Sequence, residues 1–161
     1  MKTVVFSPYA AKLRSGKTNA KNYPWWRELI SLLKEKGFYI IQIGVAGEQR
    51  IEGSNEFKQN LSFNELEALV TKDETLIFSV DSFLPHFCRS VGRGCIVIWG
   101  KSDPNVFGYP ENLNLLKSRK CLRNAHDQWV YWEDVPFDEN VFLRPTEIIK
   151  RIQSLEIEIV K

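Results

Sequence analysis

Short apolar runs alternate along this chain with longer stretches whose apolar residues recur at helical spacing. Thr3–Phe6, Phe38–Ile43, Thr75–Val80, Cys95–Trp99 and Leu113–Leu116 are continuous or β-branched apolar runs of strand length. Between the first two, Trp26, Leu29, Ile30 and Leu33 fall at i, i+3, i+4 and i+7 and predict a helix, opened by Pro24 and closed by Gly37. Ser62-Phe63-Asn64-Glu65 has the form of a capping box, with Leu61 and Leu66 at the positions of a hydrophobic staple, and predicts a short helix to about Val70. Leu84, Phe87, Cys88 and Val91 give a further helix that Gly92 stops, and Ile148, Ile149, Ile152 and Leu155 give a last one from Pro145. Gly44–Asn60 and Gly100–Pro110 read as polar connections, and Lys117–Asn140 as irregular, aromatic and mixed in charge. Glu156–Val160 alternates and fits a helix end or a strand equally.

Strands alternating with helices require crossover connections, so the strands run parallel and both sheet faces are covered. The expected fold class is α/β: a three-layer Rossmann-like parallel sheet in one domain over residues 1–161. Ligands of such sheets bind beyond the strand C-terminal ends, beside helix N-termini. The composition does not disturb this picture. With 43% apolar and 26% charged residues, the 161-residue chain can bury a core. A net charge of +2 is too small to indicate a nucleic-acid or membrane partner. No apolar run is long enough to span a bilayer, and the start of the chain lacks a signal-peptide layout. Cys88, Cys95 and Cys121 are odd in number and lack C-x-x-C spacing, which fits free thiols and a cytoplasmic location. With only His86 and His126 as histidines, no metal-ligand cluster and no cofactor are expected.

Three loops fall on the expected ligand edge. After the first strand come Ser7, Lys12, Lys17 and Lys21, a hydroxyl and ammonium groups suited to a diphosphate. A solvated basic loop explains them as well, and Gly16-Lys17-Thr18 is not a phosphate-loop fingerprint, because Ala11 stands where that motif needs glycine. After the third long strand come Asp81 and Ser82. The serine is placed to cap the next helix, whose amides face an anion, and His86 lies about one turn in. A plain cap with a packed histidine is the simpler account of that segment taken alone. After the next strand comes Trp99-Gly100-Lys101-Ser102-Asp103-Pro104, where a glycine admits a ligand to the backbone or merely makes a turn. Convergence of three loops on one edge favours a shared ligand pocket.

These residues resemble a family. Ser7 with Lys12, Lys21-Asn22-Tyr23-Pro24-Trp25-Trp26, Gly44, Leu61–Leu66, Asp81-Ser82-x-x-x-His86, Trp99-Gly100-x-x-Asp103-Pro104 and the Arg144–Ile149 helix start run in the order seen in glycosyltransferase family 9. The likeness is to the C-terminal, donor-binding half of the heptosyltransferases, which have the two-domain GT-B architecture, and it spans about Met1–Leu155. It implies a nucleotide-diphosphate-sugar ligand, with Ser7, Lys12 and Lys21 near the diphosphate and Asp81, Ser82 and His86 near phosphate and sugar. Gly44 and Gly100 join this set of ligand-binding positions. Where the family has glycine after the Asp-Ser/Thr pair, this chain has Phe83, whose side chain narrows the approach to the helix amides. The family's acceptor-binding half, with its carboxylate base, is expected to be absent.

The function this implies is binding of a nucleotide-sugar donor, with transfer helped by a partner chain or a second protomer. Inverting transfer needs a base for the acceptor hydroxyl and cations for the departing diphosphate. The cations are present, and no spacing singles out a catalytic residue among Asp127, Glu133 and Asp134. The alternative is a non-catalytic module that sequesters or senses a nucleotide or nucleotide-sugar. The aromatic and basic segment Arg119–Trp132 reads first as a cover over one end of the core. As a base- or sugar-stacking surface it is the one hint of a nucleic-acid role, and the near-neutral charge argues against that.

Overall fold

A computed structural model describes residues 1–154, so the Glu156–Val160 expectation and the position of Leu155 lie outside the described residues. Six parallel strands form one open sheet in the order β3-β2-β1-β4-β5-β6: β1 (Thr3–Ser7), β2 (Tyr39–Gly44), β3 (Glu56–Gln59), β4 (Thr75–Ser79), β5 (Ile96–Trp99) and β6 (Leu113–Leu116). The register carries Val4, Val5 and Phe6 of β1 beside Ile40, Ile41 and Gln42 of β2 and beside Leu76, Ile77 and Phe78 of β4. Strand order reverses between β1 and β4, which opens a crevice at their C-terminal ends.

Side-chain alternation divides the interior into two layers. Val4, Phe6, Ile40, Phe78 and Ile98 face one way, onto α1 (Trp26–Glu35) and α5 (Pro145–Ser154). Val5, Ile41, Ile77, Val97 and Trp99 face the other way, onto α2 (Phe63–Val70) and α3 (Phe83–Ser90). The expected three layers are therefore present. Trp26, Leu29, Ile30 and Leu33 of α1 are all buried, and each such side chain contributes about 1.5–3 kcal/mol of transfer free energy. The capping box on α2 is complete: Glu65 N–H donates to the Ser62 hydroxyl, and the Glu65 carboxylate accepts from the Ser62 amide. A short helix, α4 (Pro104–Phe107), interrupts the loop after β5 and is capped by the Asp103 carboxylate, which accepts from the Asn105 amide.

The expected connection Gly44–Asn60 contains β3, the strand at one edge of the sheet. Its Glu-Phe-Lys-Gln sequence carries a single apolar residue, and none of its side chains is fully buried. Charges on such a strand also oppose edge-to-edge pairing. Buried Gln42 joins this edge to its loop, donating to the Gln49 carbonyl at 3.0 Å and accepting from the Ile51 amide at 2.7 Å. Lys117–Asn140 is irregular as expected, built from four single-turn 3₁₀ segments.

Candidate functional site

The β1–α1 loop owes its shape to two asparagines. Asn19 donates to the Ala11 carbonyl at 2.8 Å and accepts from the Lys21 amide, while Asn22 accepts from the Ala10 amide at 2.8 Å. Trp26 Nε1 anchors the start of the loop on the Pro8 carbonyl, and the Tyr23 hydroxyl donates to the Leu143 carbonyl. These bonds hold a long polar loop as fixed structure over the strand ends. Burial pushes the Tyr23 phenol well above its ordinary range, so it stays a donor.

Beyond the C-terminal strand ends lies an open cleft of about 1560 Å³. Ser7, Lys12, Lys21, Gly44, Asp81, Ser82 and His86 all line it, so seven of the eight positions singled out in the sequence share one space. Lys21 Nζ is 3.0 Å from Asp81 Oδ2, an ion pair in which both side chains are largely withdrawn from solvent (19% and 8% exposed). The Asp81 oxygen makes no aligned hydrogen bond, so the contact is mainly Coulombic. The same ammonium lies 4.6 Å from the Trp132 ring centroid and 5.6 Å from that of Phe107. Lys21 is thus held by one carboxylate and two aromatic faces.

Ser82 does not cap α3 as expected. Its hydroxyl turns back to the Val80 carbonyl and lies 3.1 Å from the Ser79 hydroxyl. Of the first three helical residues Pro85 has no N–H, so Phe83 and Leu84 are the first-turn donors that a capping side chain leaves uncovered. Phe83 does not plug the cleft. Its ring packs with Phe63 at 6.2 Å and with Phe87 at 5.7 Å, along the α2 side of the rim. His86 is one turn further on, with Nδ1 2.6 Å from the Tyr109 hydroxyl and the rings edge to face. When Tyr109 donates to Nδ1, the ring proton sits on Nε2 and the free edge is a donor.

Gly100 stands apart. It does not line the cleft, and a β-carbon there would meet Phe142 at 2.7 Å and Val141 at 3.1 Å. Close packing, rather than ligand approach, accounts for that glycine. The loop around it is covered by the aromatic segment. Arg123 N–H and Gln128 Nε2 donate to the Lys101 carbonyl, Gln128 Oε1 accepts from Asp103 N–H, and Arg119 grips the Asp103 carboxylate at 2.8 and 3.2 Å. That Arg119 contact holds the Asp103 carboxyl below its ordinary range. Arg123 in turn donates to the Asp127 and Val130 carbonyls, and its guanidinium lies 4.5 Å from the Trp132 centroid. The segment therefore covers the loop after β5, and its last residues, Trp129–Trp132, together with Glu133 and Asp134 form one wall of the cleft. Glu133 closes that wall against the β1–α1 loop by accepting from the Arg14 amide.

Two contributors were not apparent from the sequence. Tyr109, which holds His86, lies in a loop with no pattern to flag it. Glu48 enters the cleft beside Gly44, whose lack of a β-carbon makes room for its carboxylate. Its Oε2 is buried without a hydrogen-bond partner, and burial pushes the carboxyl above its ordinary range. The spacing Gly44-x-x-x-Glu48 was the available signal. The charged residues lining the cleft are Lys12, Arg14, Lys17 and Lys21 against Glu48, Asp81, Glu133 and Asp134, a formal balance of four to four. Among the described residues no group of His, Cys, Asp or Glu side chains is placed to hold a metal ion, and no helix is long and apolar enough to cross a membrane.

The sequence matches the glycosyltransferase family 9 (heptosyltransferase) profile over residues 1–129. It is 30% identical over 133 residues to lipopolysaccharide heptosyltransferase 1 of Escherichia coli (strain K12), an alignment covering 76% of this chain and 42% of that protein. In fold it is similar to the dodecameric iron-containing heptosyltransferase TibC, solved with ADP-D-β-D-heptose. There the TM-score is 0.72 at 16% identity, over 98% of this chain and 46% of that one. E. coli ADP-heptose lipopolysaccharide heptosyltransferase II (TM-score 0.66, 14% identity, 98% and 47%) is similar, as is E. coli heptosyltransferase WaaC with ADP (TM-score 0.63, 20% identity, 95% and 44%). The chain spans less than half the length of these relatives. The profile match covers most of the chain, β1 to Trp129, and on that ground the chain belongs to glycosyltransferase family 9.

Proposed function

We propose that this chain binds a nucleotide-diphosphate-sugar in the cleft at its strand ends, as the donor-side half of a sugar transfer. The observation that carries this reading is the meeting of Lys12, Lys21, the uncapped start of α3 and His86 around one open space. Lys21 and the Phe83 and Leu84 amides suit a diphosphate, since a helix N-terminus and an ammonium both favour negative charge. Asp81, His86 and Glu48 supply acceptors and a donor for sugar and ribose hydroxyls. The relatives solved with ADP and with ADP-D-β-D-heptose make an adenosine diphosphate sugar the first ligand to test. The volume of about 1560 Å³ exceeds the roughly 300–1,000 Å³ usual for one small-molecule site and leaves space beside the nucleotide.

In this role Lys12, Lys21 and the helix amides stabilise the charge that develops on the departing diphosphate. Deprotonation of the acceptor hydroxyl falls to a partner chain, a second protomer or a local carboxylate. A binding-only module that sequesters or senses the same ligand is the second reading. It draws support from the engagement of Asp81 by Lys21 and of Glu133 by Arg14, which occupies two of the four cleft carboxylates. Calorimetric titration with ADP and ADP-heptose, followed by an assay of ADP release, tests both. Tight binding with ADP release supports the transferase and tight binding without release the module. No binding of either compound rejects both.

A further inference from the structure

The cleft wall at Trp129–Asp134 has features that a diphosphate does not explain. Trp129 and Tyr131 are 71% and 70% exposed, and both line the cleft. They are not loose. Trp129 packs against Phe107 with centroids 4.5 Å apart, Trp132 Nε1 donates to the Gln128 carbonyl at 2.8 Å, and Glu133 accepts from Arg14. Between these anchors Tyr131 adopts φ 61°, ψ 28°, a left-handed conformation that costs a bulky residue roughly 1–2 kcal/mol. Strain retained at a cleft wall points to a role for the residue displayed there. Asp134, three residues on, also lines the cleft, and its carboxylate makes no hydrogen bond or ion pair among the described residues. The family profile match ends at Trp129, before Tyr131 and Asp134.

Rigid, exposed aromatic faces beside an unpaired carboxylate suit one chemistry. A pyranose presents an apolar face of C–H bonds to stack on a ring and a rim of hydroxyls to donate to a carboxylate. We infer that Trp129 and Tyr131 form a stacking platform for a pyranose ring, with Asp134 accepting from its hydroxyls. The placement rests on the donor-site reading above, because Trp132 joins this wall to Lys21 at the proposed diphosphate. The nucleoside end then falls toward Glu48 and Gly44, at the end of β2. The ring belongs either to the sugar of the nucleotide or to a separate acceptor saccharide.

The test uses the full chain with three variants: Trp129→Ala, Asp134→Asn and Tyr131→Asn, the last tolerated in the left-handed conformation. Kd is measured by calorimetry for ADP and for ADP-glucose, and saturation-transfer NMR is run with methyl α-D-glucopyranoside and methyl α-D-mannopyranoside. Each variant is expected to leave the ADP Kd within about twofold and to weaken a pyranose-bearing probe by about fivefold to tenfold, the scale of one aromatic contact. Loss confined to ADP-glucose assigns the ring to the donor. Loss of saturation transfer from the methyl glycosides, with ADP-glucose unaffected, assigns it to an acceptor. The inference is overturned if ADP weakens as much as ADP-glucose, which makes the platform a nucleobase stack. It is also overturned if no probe responds or if the wild-type chain binds ADP but no pyranose. Methyl-glycoside binding that the variants abolish, in a chain that binds no ADP, would uphold the platform and reject the nucleotide reading instead.

Discussion

Replacing Lys21 with methionine separates the role this residue has in the fold from the role proposed for it at the ligand. Methionine keeps most of the aliphatic stem between Trp132 and Phe107 and removes the charge. Asp81, 8% exposed, then loses the cation 3.0 Å away. Removing one partner of a fully buried pair costs about 3–5 kcal/mol. Lys21 retains 19% exposure, so water partly screens Asp81 and about 2 kcal/mol is the working value. For a chain of this size that corresponds to a melting temperature lower by about 4–8 °C. Lys21→Met/Asp81→Asn leaves no orphaned charge and should recover most of that loss. Ligand affinity should not recover, because a charge-assisted contact to phosphate contributes about 1.5–3 kcal/mol. Both variants should bind ADP roughly 10-fold to 150-fold more weakly than the parent. Melting curves and calorimetric titrations of the parent and both variants make the measurement. An unchanged melting temperature for Lys21→Met, or a double variant as unstable as the single one, would refute the buried pair. ADP affinity untouched in both would remove Lys21 from the ligand site.

Glu48→Gln tests the buried carboxylate. Its folded pKa is raised by burial, so the cost of its charge is absent below the unfolded value of about 4.3 and grows as pH rises through the folded value. The glutamine variant should melt higher than the parent at pH 7, the gap closing as pH falls below about 4. Gly100→Ala should destabilise by about 1–3 kcal/mol through the 2.7 Å approach to Phe142 while leaving the ADP Kd unchanged. A binding defect with normal stability would restore Gly100 to the ligand edge. Arg119→Met frees Asp103, whose carboxyl Arg119 holds below its ordinary range. That contribution is present above the unfolded value of about 3.9 and is lost as pH falls through the folded value, so parent and variant should converge in stability only once pH is below that folded value. At neutral pH limited proteolysis should cut the variant faster within Lys117–Asn140.

Five of the six strands and the four longer helices could be read from the sequence because the sheet interior imposes period and length on its side chains. β4 is buried along its whole length and α1 buries one stripe, and both print clear patterns. β3 escaped because this edge strand has one apolar residue among polar ones and buries none fully, which also describes a loop. The candidate site was legible to the extent that it sits where parallel strands end. Ser7, Asp81 and Ser82 follow directly from strand ends, and Lys21 from the loop between β1 and α1. Ser82 departs from the expected cap because its hydroxyl has two uses, accepting from a helix amide or donating to a carbonyl, and here it donates to the Val80 carbonyl. The Gly100 expectation failed for a different reason. Nothing local announces that Phe142, forty-two residues on, fills the space above it. Tyr109 and Trp132 carry the same lesson, since their partners His86 and Lys21 are distant in sequence and meet them only through the fold.

The balance of charge in the cleft bears on which ligand it takes. A trap for free phosphate, or a groove for nucleic acid, gains from a net positive field. Four cations offset by four carboxylates give no such long-range pull, so the ligand suited to this cleft is one that pairs with both signs at close quarters. An inorganic anion satisfies Lys12 and Lys21 but leaves Glu48 and Asp134 with buried or cleft-facing oxygens and no donor. A nucleoside alone meets the carboxylates with its hydroxyls and leaves the cations and the start of α3 unanswered. A nucleotide-diphosphate-sugar answers both, because its anionic centre lies between two polyhydroxylated ends. Glu48 stands beside Gly44 at the end of β2, Asp81 pairs with Lys21, and Asp134 lies on the aromatic wall, so acceptors occur at separate places along the cleft. An unsatisfied group in such a site costs about 1–3 kcal/mol, so matching three regions at once discriminates more strongly than any one contact.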